Sequence, residues 1–486
     1  MIVLKDILEE LNVIQTLGNL ELSIEHAHTD SRKVTMSDLF VAVHGNTVDG
    51  HEYISKAIEN GACAIVCESL PKKIEDGVAY IQVINSALAA GICNKVCYGK
   101  PDEELRLIGI TGTNGKTTIA TLLFNLFKNL GFGVGLISTV ENRINEKIIP
   151  STHTTPEVSE LYQLIHSMVA DGVDYCFMEV SSHAISQFRI AGLQFDAAIF
   201  SNLTHDHLDY HGSFSNYRDT KKQLFDNLSS DAVALVNKDD KNGLLMMQNT
   251  KATRYTYSQK SISDFTSKIL ETDFNGMQIE LNRHQFWTPL VGAFNAINLT
   301  AVYGIGVLFD IPSTELIIAL SKLGKVKGRF ELINPGGKNP VIVDYAHTPD
   351  ALENVIKTIN NIRKNSVSLT VVFGCGGDRD IAKRPKMGAI AAENANRVIL
   401  TNDNPRTEDP SEILGDIEKG IEGQYYKNIL QIQDREQAIK TAITTAQAGE
   451  VILIAGKGHE SYQEINGVRH DFDDSIVALK IIESIA

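Results

Sequence analysis

The segment Gly112-Thr113-Asn114-Gly115-Lys116-Thr117-Thr118 carries the residue types of a triphosphate cradle. Glycines let successive backbone N–H groups turn inward around phosphate oxygens, and a following helix adds the partial positive charge of its N-terminus. In such a loop Lys116 reaches the terminal phosphates and the Thr117 hydroxyl holds Mg2+. The spacing, T-G-x-x-G-K-T-T, is shorter than the usual G-x4-G-K-[ST], so a tight strand-to-helix turn with an exposed lysine is the plainer alternative. A second constellation follows. Glu179 closes the run CFMEV, with Ser181, Ser182 and His183 after it, and Asp206, His207 and Asp209 lie just past AAIFSNL. Oxygen and imidazole ligands there suit one or two Mg2+ ions bridging phosphates. His207 is the favoured ligand, His205 and His211 read as loop histidines, and zinc stays open although no paired thiols support it. Lys221, in Tyr217-Arg218-Asp219-Thr220-Lys221, reads by itself as an exposed helical lysine.

These residues need strands and helices to hold them. LRLIGIT reads as a strand before the loop, and TTIATLLFNLFKNL as the helix after it, with apolar residues at helical spacing. CFMEV, AAIFSNL and AVALVN are further short apolar runs separated by helix-length segments, the pattern of a parallel sheet with crossover helices. A polar stretch near 238–290 predicts an antiparallel excursion. After Gly328-Arg329-Phe330 the pattern restarts with VIVDYA, LTVVFG, RVILTN and EVILIAG. Before it, LFVAV, CAIVC and YIQVI form a first group, closed by the turn-rich Tyr98-Gly99-Lys100-Pro101-Asp102. The expected architecture is α/β in three domains, 1–99, 100–332 and 333–486.

A chain of 486 residues exceeds one ordinary core. Its 43% hydrophobic and 22% charged content is that of a soluble globular protein, and no run approaches the roughly 18 apolar residues of a membrane span. MIVLKDILEELNVIQ reads as a short amphipathic helix rather than a signal peptide. Six cysteines include two spacings of four, 63/67 and 93/97, which suit buried reduced thiols better than zinc. A cytoplasmic protein is expected. The net charge of −15 argues against a nucleic-acid partner and does not exclude anionic small substrates.

The motifs TGTNGKTT, HTTPE (153–157), EVSSHAISQFR (179–189), SNLTHDHLDYHG (201–212), YRDTK (217–221), GAFNAIN (292–298), GRFE (328–331), DYAHTPD (344–350), GCGGDRD (374–380), DNPR (403–406) and GKGHE (456–460) run in one order along nearly the whole chain. Together they resemble the Mur ligases, and within them the branch that adds meso-diaminopimelate to a UDP-muramyl dipeptide. The resemblance implies a UDP-substrate-binding N-terminal domain, a central P-loop-type ATPase domain and a C-terminal Rossmann-like domain that brings the amino acid. It implies ATP and Mg2+ as cofactors and small-molecule partners only, with no membrane contact, in a chain expected to act as a monomer.

Carried over by position, Ser31 and Arg32 would contact the UDP moiety, and Thr154, Thr155, Ser181, Gln187 and Arg189 the muramyl dipeptide. Glu179 and His207 resemble Mg2+ ligands. Lys221 falls where the family carries a carbamylated lysine, whose carbamate turns a cation into an anion able to bind a second Mg2+. Asn295, Asn298, Arg329 and Asp344 resemble nucleotide contacts, and His347 a nucleotide contact or the base that frees the incoming amine; a carboxylate is the alternative base. Asp403, Asn404, Pro405 and Arg406 resemble the loop that marks diaminopimelate users, with Arg379, Gly456 and Glu460 completing the amino-acid contacts. Arg406 offers a planar fork for the distal carboxylate that lysine lacks; from the residues alone the same segment is an Asn-Pro turn with a surface arginine.

The reaction implied begins with the D-Glu γ-carboxylate attacking the γ-phosphate of ATP, with Lys116 and Mg2+ screening their repulsion. The amine then attacks the acyl-phosphate and releases phosphate. A lysine-adding relative is the nearest alternative, against DNPR. A folylpolyglutamate synthase is more distant, against DSR, HTTPE and DNPR. A nucleotide switch without ligase activity would leave the acidic and histidine motifs unexplained.

Overall fold

Continuous apolar runs such as LIGIT and CFME can be buried on both faces only in a parallel sheet covered by helices on either side. The computed structural model, which describes residues 2–45, 48–151, 153–333, 338–364 and 366–485, arranges them so. A first sheet is built from β1 (Val13–Leu17), β2 (Ala27–His28), β3 (Leu39–Val41), β4 (Ala64–Cys67) and β5 (Ala79–Val83), in the order β1-β5-β4-β3-β2. The amphipathic helix expected at the start is limited to α1 (Leu4–Glu9). The residues beyond it, with β-branched Val13 and Ile14, form β1 and pair antiparallel with β5. All six cysteines are free thiols, four of them buried.

The central sheet has eleven strands. Its parallel part comprises β6 (Arg106–Thr111), β7 (Val134–Ile137), β10 (Tyr175–Glu179), β11 (Ala197–Phe200), β12 (Val233–Asn237) and β13 (Thr253–Ser258). An antiparallel hairpin, β8 (Glu141–Ile144) and β9 (Lys147–Pro150), extends one edge. At the other edge β14 (Phe265–Thr272) pairs parallel with β13, and β15 (Met277–Leu281) and β16 (His284–Thr288) continue antiparallel, so the expected excursion covers the later half of 238–290. The order is β9-β8-β7-β10-β6-β11-β12-β13-β14-β15-β16. Helix α2 (Lys116–Asn129) is apolar nearly all round because it lies between the sheet and α3 (Ala293–Leu308); Ile119, Leu123, Phe127, Leu299 and Val302 share one core.

The last sheet runs β17-β18-β22-β19-β20-β21, from β17 (Glu331–Leu332), β18 (Val341–Asp344), β19 (Leu369–Phe373), β20 (Arg397–Leu400), β21 (Ile429–Gln431) and β22 (Val451–Ala455). All pairs are parallel except β17 with β18. The four apolar runs read as strands are its four central members. No helix among the described residues is long and apolar enough to cross a membrane.

Candidate active site

In open parallel sheets the loops that leave the carboxyl ends of strands form the ligand crevice. The loops after β6, β10 and β11 of the central sheet and after β18, β19, β20 and β22 of the last sheet face one another across a cleft of about 450 Å3. A second cavity of about 100 Å3 adjoins it, and Asn114, Gly115, Arg329 and His347 line both.

The phosphate loop turns through two glycines that nothing else can replace. Gly112 (φ +148°) and Gly115 (φ +92°) have left-handed backbone, and a Cβ would meet the Ser201 hydroxyl at 2.0 Å or the Asn298 amide oxygen at 2.9 Å. Helix α2 starts at Lys116, whose Nζ donates to Gly112 O and Thr113 O, both at 2.9 Å. Desolvation lowers the Lys116 pKa, opposed by Glu179 and Asp206. Thr113, Asn114, Lys116 and Thr117 line the cleft, and Thr118 and Asn298 the smaller cavity. Arg329, just before β17, donates to Thr117 Oγ1 at 3.1 Å, stacks on Tyr345, and keeps a buried Nε without a partner. Asp344 takes the N–H groups of Phe330 and Ala346, and burial raises its pKa. Asn295 is buried, its amide donates to Val291 O, its Oδ1 has no partner, and the residue lines neither of these cavities.

Glu179 is fully buried, accepts from Thr139 N (2.9 Å) and Thr139 Oγ1 (3.2 Å), and has no lysine or arginine ion pair among the described residues. Such a carboxylate suits a bound cation. His207 lines the same cleft in a left-handed conformation (φ +53°), and burial pushes its pKa down, leaving a neutral imidazole. Glu179, His207 and the Thr117 hydroxyl are an oxygen-rich, open set, the kind that suits Mg2+ retaining waters and binding phosphates. His205 and His211 are not free surface histidines. His205 Nε2 meets Asp380 Oδ2 of the last domain at 2.9 Å, and buried His211 meets Ser182 Oγ at 2.9 Å.

Lys221 overturns its reading as an exposed helical lysine. It is 1% exposed, its Nζ donates to Gly112 O at 2.9 Å and lies over the Tyr217 ring. Burial, with Lys116 adding repulsion, holds its pKa well below the lysine value. The packing is between helix Phe214–Asp226 and the phosphate loop, and the signal that could have found it is the spacing of Tyr217, Lys221, Leu224 and Phe225 on one buried helical face.

Thr154, Thr155, Ser181 and Arg189 line the cleft. The Thr155 hydroxyl donates to Glu179 O, and Arg189 donates to Thr155 O at 3.0 Å while its buried Nε lacks a partner. Gln187 stands behind them, donating to Tyr210 OH. Ser31 and Arg32 do not join this cleft. Ser31 is buried, and Arg32 is exposed and paired with Asp30.

On the opposite wall, Arg379, Asp403, Asn404, Arg406, Gly456 and Glu460 line the cleft, and Pro405 does not. Arg406 is no surface arginine: its side chain is 19% exposed, its backbone is left-handed (φ +51°), and Nη1 donates to Gly377 O at 2.7 Å. Fully buried Lys457 donates to Asn404 Oδ1 (3.0 Å) and Glu460 Oε2 (2.8 Å), and Asn404 donates to the same Glu460 oxygen. Burial and Asp403 raise the Glu460 pKa, against Lys457. His347 is pushed down to about 4 by burial, with Lys383 adding, and its Nδ1 lies 3.0 Å from Tyr345 O, which leaves Nε2 with the lone pair. Sequence reasoning missed Lys457, Asp380 and Lys383, although each lies in or beside a quoted motif.

The chain matches the Mur ligase family catalytic domain over residues 23–103, the Mur ligase middle domain over 110–306 and the Mur ligase glutamate ligase domain over 328–458. It is 48% identical, over 98% of its length and 99% of the relative's, to the UDP-N-acetylmuramoyl-L-alanyl-D-glutamate–2,6-diaminopimelate ligase of Bacteroides fragilis. The protein of the same name from Cytophaga hutchinsonii is 47% identical over 99% of both chains.

The chain belongs to the Mur ligase family.

Among solved structures, a UDP-N-acetylmuramoyl-L-alanyl-D-glutamate–2,6-diaminopimelate ligase superposes with a TM-score of 0.70 at 33% identity, covering 100% of this chain and 99% of that one. A folylpolyglutamate synthase from Mycobacterium tuberculosis, 17% identical with a TM-score of 0.62 over 76% of this chain and 93% of that one, shares the fold. This Mur ligase therefore has the three-part α/β architecture expected from its motifs.

Proposed function

We propose that this Mur ligase uses ATP to join meso-diaminopimelate to the D-Glu of UDP-N-acetylmuramoyl-L-alanyl-D-glutamate, a step of peptidoglycan precursor synthesis in the cytoplasm. The observation that carries the reading is the single cleft between the phosphate loop and the loop Asp403–Arg406. Residues 1–99 hold the UDP moiety, 100–332 the nucleotide and 333–486 the amino acid. One chain supplies both walls, which supports action as a monomer.

Lys116, Asn114 and Thr117 hold the triphosphate, with Asn298 and Asp344 toward the nucleoside in the smaller cavity. Glu179, His207 and Thr117 would hold Mg2+, which when bound neutralises phosphate charge. Arg189, with its unpartnered Nε, orients the dipeptide, and Lys116 screens the D-Glu carboxylate as it approaches the γ-phosphate. Burial disfavours the charged form of the Lys221 amine, the direction that carbamylation by CO2 requires, and its carbamate would add an anion beside the metal. The acyl-phosphate hydrolyses readily, which favours delivery of the amine on a wall that excludes water. Arg406 takes the distal carboxylate of diaminopimelate and Glu460 an ammonium group. His347, neutral at pH 7 and lining the cleft, would take the proton of the attacking amine.

The test offers the purified protein ATP and the UDP-dipeptide with diaminopimelate or L-lysine separately. Phosphate release that needs both the dipeptide and diaminopimelate is expected. Equal use of lysine, or release with neither acceptor, removes the reading.

A further inference from the structure

We propose that His26, His28 and Asp38 form a site for a divalent transition-metal ion of the zinc class, on the N-terminal sheet and separate from the cleft. His26 and His28 are two residues apart at the edge strand β2, so their side chains leave the same side of the sheet. Asp38 immediately precedes β3, which pairs with β2, and Leu39 N donates to His26 O at 2.8 Å. Each of the three offers one ligand atom, and these atoms all lie within 4.8 Å of one another.

His26 Nδ1 lies 3.6 Å from Asp38 Oδ1, and His28 Nε2 lies 3.5 Å from Asp38 Oδ2. An N–H···O hydrogen bond closes at about 2.7–3.2 Å. Two ligands bonded at about 2.0–2.1 Å to one tetrahedral ion stand roughly 3.3 Å apart. The two separations, each to a different Asp38 oxygen, exceed a hydrogen bond, so neither ring is hydrogen-bonded to the carboxylate and both can turn onto an ion beside it. Asp38 is fully buried, and no lysine or arginine pairs with it among the described residues. Its oxygens accept from His26 N, Thr35 N and Thr35 Oγ1, which fixes the carboxylate before any ion arrives. His28 Nδ1 is buried and lacks a partner.

A second trio, His44, Asp49 and His51, is equally close but already committed. His51 Nδ1 meets Asp49 Oδ1 at 2.8 Å, and His51 Nε2 accepts from Glu68 N at 2.9 Å. At the first trio the half-exposed His26 ring can close on an ion and leave a position for water. The bound ion ties the edge strand to its neighbour and compensates the buried carboxylate.

The experiment titrates the full chain with Co2+ in excess Mg2+ and ADP, following the visible d–d bands and the number of ions bound. The wild type is expected to bind one Co2+ more than His26→Gln/His28→Gln, while His44→Gln/His51→Gln keeps that ion. Zn2+ should raise the Tm of the wild type and leave that of the His26/His28 variant unmoved. The same stoichiometry in the wild type and the His26/His28 variant overturns the site, as does loss of the ion in the His44/His51 variant. Glutamine keeps the polarity, so both variants are expected to fold; Asp38→Asn would also disturb the Thr35 turn.

Discussion

The two walls of the cleft differ in how their charges are satisfied. On the central-domain wall the amines of Lys116 and Lys221 donate to backbone carbonyls, two of these bonds falling on Gly112 O. On the C-terminal wall Lys457, Asn404 and Glu460 bind one another, and Arg406 is held by Gly377 O. The two lysine amines of the first wall have no salt-bridged carboxylate among the described residues and suit a triphosphate. The second is internally compensated and suits a zwitterion, which needs both signs in fixed places. A desolvated cation gains most from the anion that completes it, so single substitutions should cost more on the first wall.

Lys116→Ala should show the largest effect, a loss of roughly 10³-fold or more in kcat with the fold retained, since removing one preorganised charge at a developing anion costs several kcal/mol. Near-normal turnover with an unchanged circular dichroism spectrum would break the comparison at its strongest point. Lys221→Ala should come next, with a loss of about 10²-fold or more, and Lys221→Glu should retain some activity as a shorter anion. Mass spectrometry of the intact native protein should find the carbamate. A plain amine in fully active enzyme would contradict it.

Arg406→Ala tests the compensated wall. Its guanidinium is partly solvated and already bonded to Gly377 O, so the loss with diaminopimelate should sit near the low end of the range for charge pairs, about 2 kcal/mol in kcat/KM. Lysine activity need not rise, because removing a group builds no new contact. An unchanged diaminopimelate-to-lysine ratio would falsify its role in choosing the amino acid.

Neutral histidines on the cleft make stability depend on pH. His347 and His183 are pushed from about 6.5 to about 4 by burial, so below pH 6.5 the unfolded chain binds more protons than the folded one. Stability should be flat above pH 7 and fall from about 6.5 toward 4, by on the order of 1–2 kcal/mol per histidine at pH 5. Urea midpoints at pH 7.5 and 5 for wild type and His347→Gln should show the variant losing less on acidification. The smallest effect is expected at one of the contacts that join the walls. His205–Asp380 is partly solvated, so His205→Ala and Asp380→Asn should each cost about 1 kcal/mol or less, read as a higher KM for the amino acid at nearly constant kcat. Additive losses in the double variant would mean that the pair does not couple the domains.

The elements that legibility favoured were those with local signals. Strand β6 and helix α2 announce themselves by apolar run and period, and the glycines between them by the left-handed backbone that only they adopt cheaply. The hairpin β8–β9 was not foreseen, because short half-exposed strands such as Lys147–Pro150 lack a buried face to impose a period. Lys221 reads as exposed by residue type although Tyr217, Leu224 and Phe225 stand at helical spacing from it, and Arg406 reads as a surface turn because the polar residues after it foretell no burial.

The residue types and their order thus settle the chemistry available: a phosphate cradle, oxygen ligands, a guanidinium fork and strands to carry them. Local sterics and hydrophobic period act within a few residues, so they can be read directly. Tertiary packing decides the rest. It brings Lys221 to a carbonyl 109 residues away, His205 to Asp380 175 residues away, and Arg329 to Thr117 212 residues away. Desolvation and partner choice depend on which surfaces meet, and those surfaces exist only once the sheets have folded and faced each other.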